Sequence, residues 1–260
     1  VRHCAGTHIH VEQKPGHEAD QLNALTALDP ALALVNSSPY FRGRRTATGA
    51  RSKIYRWLAY EGLPRQGRLW SYSDDTEDWK RCLEEGYDTF LAAAKESGVD
   101  AETVEENFTP ESAVWTPVKL RETFSTVEWR SPDNAVPSQA LKLADDVVSV
   151  VERAVECGVR IEGREGGLTD EEVVLPEYRA LKRYVEEAIL EGTSSEDLRS
   201  YLERMGFGTE EYEPVTEEVD SGGSVTKQEA RRLRREHAER LRADVQRAVS
   251  VDSDRVMTEG

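Results

Sequence analysis

No stretch of this sequence approaches the roughly 18 consecutive apolar residues that a membrane-spanning helix needs, and the first residues, Val1-Arg2-His3-Cys4-Ala5-Gly6, read as the entry into a strand rather than as a signal peptide. The chain does not begin with Met, so it is expected to be a piece of a longer protein lacking its N-terminal segment. Cysteine is scarce: Cys4, Cys82 and Cys157 are an odd set without short paired spacing. That excludes a disulfide framework and a zinc knuckle and fits a reducing cytoplasm. Each reads as a small buried hydrophobe rather than a nucleophile. Two phosphate-binding signatures are also missing, Gly-x-x-x-x-Gly-Lys-Ser/Thr and a Gly-x-Gly-x-x-Gly after a strand, which argues against P-loop and Rossmann proteins.

Lysine is scarce as well. Of 34 basic residues 26 are Arg and 8 are Lys, against 50 acids and a net charge of −16. A polyanionic surface repels nucleic acid and anionic membranes, so neither is an expected partner. Acid excess with few lysines suits a protein kept soluble in concentrated salt, where screening shortens self-repulsion. An acidic substrate would then need a local basic pocket. With 38% hydrophobic and 32% charged residues over 260 positions, the chain has the composition of a globular protein able to bury a core.

Residues 5–12 alternate polar and apolar with the period of a strand. A helical pattern over 18–35 carries Leu22, Leu25, Leu28, Leu32 and Val35, with Pro30 set to kink or split it. Residues 36–53 form a loop with Arg42, Arg44, Arg45, Arg51 and Lys53 and no acid. Residues 74–97 read as an acidic helix, 99–112 as a loop or short helix, and 124–130 as a second strand. An amphipathic helix runs from Ser138 to Cys157 and stops at Gly158; others lie near 176–190 and 195–205, the latter with a capping box at Ser194-x-x-Asp197. This gives a catalytic domain over 1–212, a flexible acidic linker over 213–224, a helix over 225–250 opened by Thr226-x-x-Glu229, and a tail over 251–260.

Three features carry chemistry. His8-x-His10 puts two imidazoles on one strand face, suited to a divalent metal or a polar substrate, or simply to a satisfied polar surface. Glu128-x-Arg130 sets a carboxylate beside a guanidinium by the same period. That pair reads either as a metal ligand with a phosphate or carboxylate clamp, or as a surface ion pair worth little. The loop Asn36-Ser37-Ser38-Pro39-Tyr40-Phe41-Arg42-Gly43, continued by Arg44, Arg45, Thr48, Gly49, Arg51 and Ser52, gathers amides, hydroxyls and guanidinium groups fit for an anion. A solvated basic loop is the other reading.

Gly-Thr-His-Ile-His-Val (6–11), the 36–43 loop and Phe-Ser-Thr-Val-Glu-Trp-Arg (124–130), in this order and spacing, resemble the glutamate–cysteine ligase family, which also includes bacterial carboxylate–amine ligases. Gly-Leu-Thr-Asp (167–170) follows in the same order, and the acidic, Arg-rich composition is most similar to the halophilic archaeal members. The resemblance covers most of residues 5–205. It implies an α+β fold with a glutamine-synthetase-like antiparallel sheet and helices on one side. The implied reaction uses ATP and Mg2+ to join the side-chain carboxylate of glutamate to the amine of cysteine through an acyl phosphate. Carried over, His8 and Glu128 would ligate magnesium and Arg130 would hold a phosphate. His10 would lie beside them near substrate, and Tyr40, Arg42 and Ser52 near the amino acids. Lys119 or Arg121 would stand for an arginine that precedes the Glu strand. The chain departs from the family in lacking, upstream of the His strand, the closely spaced glutamates that ligate further metal.

Two alternatives remain open on the sequence. One is a ligase with another amine acceptor. The other is a binding module acting through the basic helix 231–242, whose arginines are interleaved with Glu236 and Glu239 around Leu233 and Leu241.

Overall fold

A computed structural model describes residues 5–258, so Cys4 lies outside the described residues. The first strand, β1 (Ile9–Glu12), alternates buried Ile9 with exposed His10. Gly16, at φ 84°, turns the chain into helix α1 (Glu18–Ala27). Pro30 splits the expected 18–35 helix rather than kinking it: lacking an N–H it cannot continue the α pattern, and Asp29–Val35 tighten into a fully buried 3-10 helix. The basic loop holds a small hairpin, β2 (Tyr40–Phe41) with β3 (Arg44–Arg45), and helix α2 (Ala50–Lys53), which widens into a π-helical turn over Ile54–Leu58.

Helix α3 (Thr76–Glu96) forms where the acidic helix is expected, with Asp75 accepting from the Asp78 amide at 2.7 Å. Short helices α4 (Ala101–Asn107) and α5 (Pro110–Ala113) lead to β4 (Val118–Arg121), a strand the sequence pattern did not disclose, and then to β5 (Thr126–Trp129). Helix α6 (Pro137–Cys157) ends at Gly158, whose φ of 81° suits glycine. A second sheet, also unforeseen, follows: β6 (Val159–Ile161), β7 (Gly167–Leu168) and β8 (Val173–Leu175), in the order β6-β8-β7. Helices α7 (Tyr178–Leu190) and α8 (Glu196–Arg204) come next. The cap of α8 is Ser195, one residue later than expected, its hydroxyl accepting from the Leu198 amide at 3.2 Å.

The 213–224 segment is not a free linker. It contains α9 (Val215–Val219), with Val215 and Thr216 buried. The Thr216 amide donates to Asn36 O at 3.0 Å and its hydroxyl to Thr48 O at 2.8 Å. Acidic composition hid these few anchoring groups. The last helix, α10 (Lys227–Thr258), opens with the expected capping box: the Thr226 amide meets Glu229 Oε2 at 2.7 Å, and the Glu229 amide meets Thr226 Oγ1 at 3.2 Å. It runs through the stretch read as a tail, where neither Gly nor Pro occurs before Thr258. Among the described residues no helix is long and apolar enough to cross a membrane. Cys82 and Cys157 are free thiols and only half-buried.

The main sheet has the order β1-β5-β4 and is antiparallel throughout, with His10 opposite Glu128 and Lys119 opposite Glu128. Facing residues share a side of the sheet. Ile9, Val118, Leu120, Val127 and Trp129 therefore form one apolar face, which joins α1 and α6 in the core. The class is α+β, with α1 packed on the apolar face of this sheet.

One buried polar hub fixes that packing. Asp29 is 0% exposed. Its Oδ1 accepts from Trp129 Nε1 at 3.0 Å, from Arg56 Nη2 at 3.0 Å and from the Ser131 hydroxyl, while its Oδ2 sits 2.7 Å from Arg56 Nη1. Removing one partner of such a pair leaves the other charge buried alone. Asp29→Asn is expected to lower unfolding free energy by about 3–5 kcal/mol. Urea denaturation checks this, and a loss below about 1 kcal/mol would contradict it.

Candidate metal and anion site

The opposite face of the same sheet is polar. The period of two brings His8, His10, Lys119, Arg121, Glu128 and Arg130 to that side of three neighbouring strands. Glu128, only 2% exposed, is the centre. Its Oε1 lies 2.8 Å from His8 Nδ1, 3.5 Å from His10 Nε2 and 3.3 Å from Arg130 Nε. Its Oε2 accepts from Arg121 Nη1 at 3.0 Å. Arg121 also pairs with Glu111, and His10 Nδ1 lies 2.9 Å from Thr126 Oγ1.

Burial pushes the Glu128 carboxyl up, but the hydrogen bond to His8 and the charges of Arg130 and Arg121 outweigh it and bring the group to about 2. Glu128 is thus ionised at any physiological pH. Its contribution to stability is complete above its ordinary value of 4.5 and is lost as pH falls toward 2. Lys119 is the counterpart. It is 1% exposed, donates to Glu111 O at 2.6 Å, and is pulled down to about 7 by burial and then by Arg130 and Arg121. Burial likewise lowers Arg130, although Glu128 supports its charge. The Arg130 guanidinium carbon stands 5.7 Å from the centre of the Trp115 ring, which is stacked on Tyr55 at 5.1 Å. The Arg130 Nε is buried without a hydrogen-bond partner.

His8, His10 and Glu128 each offer one donor atom, all within 4.8 Å of one another. Both imidazoles are over a third exposed, so the trio opens to solvent while Glu128 does not. Two imidazole nitrogens and a carboxylate oxygen fit a divalent cation. The nitrogen content favours Mn2+ or a later transition ion over Mg2+, which prefers an all-oxygen shell. Three basic residues stand beside the trio: Arg130, Arg121, which is paired with Glu111 and Glu128, and the buried Lys119.

The expected site residues divide into two groups. His8, His10, Glu128 and Arg130 meet on one face, and both candidates for the additional cation, Lys119 and Arg121, join them. Tyr40, Arg42 and Ser52 make their contacts elsewhere. The Tyr40 hydroxyl accepts from the Ser221 amide at 2.8 Å. Arg42 is exposed, at φ 51°, with its guanidinium over Phe41. Ser52 is buried within α2. Its neighbour Arg51 reaches the site's backbone instead, donating from Nη1 to Ser131 O at 2.9 Å and from Nη2 to Arg130 O at 3.4 Å. Gly6 makes this passage possible, because a Cβ there would lie 2.1 Å from Arg51 Nη2. Trp115 and Glu111 were missed; neither belongs to a periodic pattern that marks it. No protein-family model matches the chain, and no curated protein matches it.

A pH dependence follows from Lys119. Its amine titrates near 7 in the folded chain and near 10.5 in the unfolded one. Between these values the unfolded chain binds more protons, so stability rises with pH. Lys119→Met is expected to be the more stable form at pH 6 and to flatten the rise between 7 and 10.5. Urea unfolding across that range measures it, and an unchanged slope would contradict the assignment.

Proposed function

We propose that the chain is the part of an ATP-dependent carboxylate–amine ligase that carries one divalent-metal position and the cradle for the transferred phosphoryl group, with glutamate and cysteine as substrates. The observation that carries this reading is the meeting of His8 and His10 with Glu128, Arg121 and Arg130 on one face of an antiparallel sheet whose other face packs against α1. A sheet of this kind supports the glutamine-synthetase-like architecture that the sequence resemblance implies. The clustered residues are cations, imidazoles and one carboxylate, a set that suits chemistry resting on position and charge.

In this reading a bound divalent cation would neutralise phosphate oxygens, and His8, His10 and Glu128 would hold it. Glu128 serves as a ligand rather than an acid, since its charged neighbours keep it ionised. Arg130, stacked on Trp115, presents positive charge to the phosphoryl oxygens, and Arg121 fixes the far oxygen of Glu128. The glutamate carboxylate takes the terminal phosphoryl group of ATP, releasing ADP. The acceptor amine then forms the C–N bond as the carbon–oxygen bond to phosphate breaks, releasing phosphate and a proton. Cations fixed where negative charge develops lower both barriers.

Glu128→Gln, which removes a charge and almost no volume, is expected to abolish ligation and to weaken metal binding at least tenfold, with unchanged circular dichroism. Calorimetric titration reads the metal arm separately from activity, and Mn2+ is expected to bind more tightly than Mg2+. Wild-type metal affinity in the variant would remove Glu128 as a ligand. Incubating the full-length protein with ATP, glutamate and a panel of amines tests the reaction. No ADP release with cysteine would exclude the cysteine ligase, and release with another amine would identify the second reading.

A further inference from the structure

Helix α10 turns Ala230, Leu233, Arg234, His237 and Leu241 toward the body, positions that share one helical stripe. The stripe does not close on the body. It roofs a cavity of about 560 Å³ whose opposite wall comes from α9, the 37–40 loop and Asn134-Ala135. Ala135, Val215, Val219, Val225, Leu233 and Leu241 make the lining mostly apolar. Leu233 and Leu241 stay only half-buried, although a helix seated directly on the body would shut them away.

The roof is pinned on both sides. Ahead of α10, the Tyr40 hydroxyl holds Ser221, Arg45 pairs with Asp220 at 2.8 Å, and the Val225 amide donates to Gly43 O at 2.9 Å. Farther along, Asp244 accepts from the Ser138 amide at 2.8 Å and the Ser138 hydroxyl at 2.7 Å. A helix fastened at both places holds this space between itself and the body at the size of a small molecule. The volume falls in the range of small-molecule sites.

The polar lining narrows the ligand. Arg234 uses its Nε on Ala230 O at 3.0 Å and forms no ion pair among the described residues. Arg232 and Arg240 on the same helix are engaged, with Glu236 and with Glu213 and Glu218, whereas Arg234 is the guanidinium that lines the cavity. A guanidinium left without an acid in a chain of net charge −16 selects an anionic head. Burial and the nearby Arg240 lower His237, which favours a neutral imidazole able to donate or accept one hydrogen bond. We propose that this cavity is a binding site for a small organic acid, its apolar body against the valine and leucine wall and its carboxylate on Arg234. The site is separate from the metal and anion face and does not depend on the ligase reading.

Octanoate and octanol, titrated calorimetrically into the full chain, test the proposal. One octanoate per chain is expected. Arg234→Gln, a change at an exposed position, is expected to weaken octanoate about tenfold or more, the size of one charge-assisted hydrogen bond, and to leave octanol unchanged. Leu233→Trp, filling the cavity, is expected to abolish both while circular dichroism stays that of the wild type. Absence of saturable octanoate binding, or an octanoate affinity that Arg234→Gln leaves intact, overturns the proposal.

Discussion

Asp29 stands where three parts of the chain must agree: the 3-10 helix that carries it, the π-helical turn that supplies Arg56, and the end of β5 with Trp129 and Ser131. A carboxylate with no exposure to water is costly unless it is paired; here Oδ1 accepts from three donors and Oδ2 lies 2.7 Å from the Arg56 guanidinium as an ion pair. Because Trp129 and Ser131 flank Arg130 along the chain, holding both from the core side dictates which way Arg130 points. The same constraint keeps Glu128 on the outer face. The alternation that gives the sheet a dry side and a charged side therefore rests on one buried acid whose own role is purely geometric.

The charged side works against the rest of the protein. A surface with 50 acids and 34 bases repels anions on average, yet Lys119, Arg121 and Arg130 surround a single carboxylate on the sheet. Their concentration there is held by backbone register rather than by mutual attraction. Lys119 shows what that costs: a buried amine between two guanidinium groups has its proton loosened to about 7. Such a patch suits an arriving anion, whose charge would relieve repulsion that the free protein contains.

Much of this face was legible in the sequence, because alternation is a local signal. His8-x-His10 and Glu128-x-Arg130 announce a shared side by period alone, and their strands pair as that requires. The α6 helix and its glycine stop were equally plain. What escaped were features set by distant partners. β4 holds only two apolar residues around a lysine that becomes buried, so no strand pattern stands out. Asp29 looks like an ordinary helix-flanking acid until Arg56 and Trp129 arrive from elsewhere. The 36–53 loop misled in another way. Its composition suggests an anion site, but Tyr40 and Arg45 are engaged by Ser221 and Asp220, and only Arg51 turns toward the sheet. Composition identifies groups able to bind charge and cannot say which neighbour reaches them first.

The strand order gives the face a lopsided stiffness. Glu128 is on the middle strand, hydrogen-bonded along both flanks, whereas the two imidazoles belong to or immediately precede the four-residue strand β1, which among the described residues is paired on one flank only. Thermal opening of a short rim strand is far easier than opening of a central one. The guanidinium half of the constellation should then keep its shape while the imidazole half breathes. Grip on a metal and grip on a phosphate would thereby become properties that selection or temperature can tune apart.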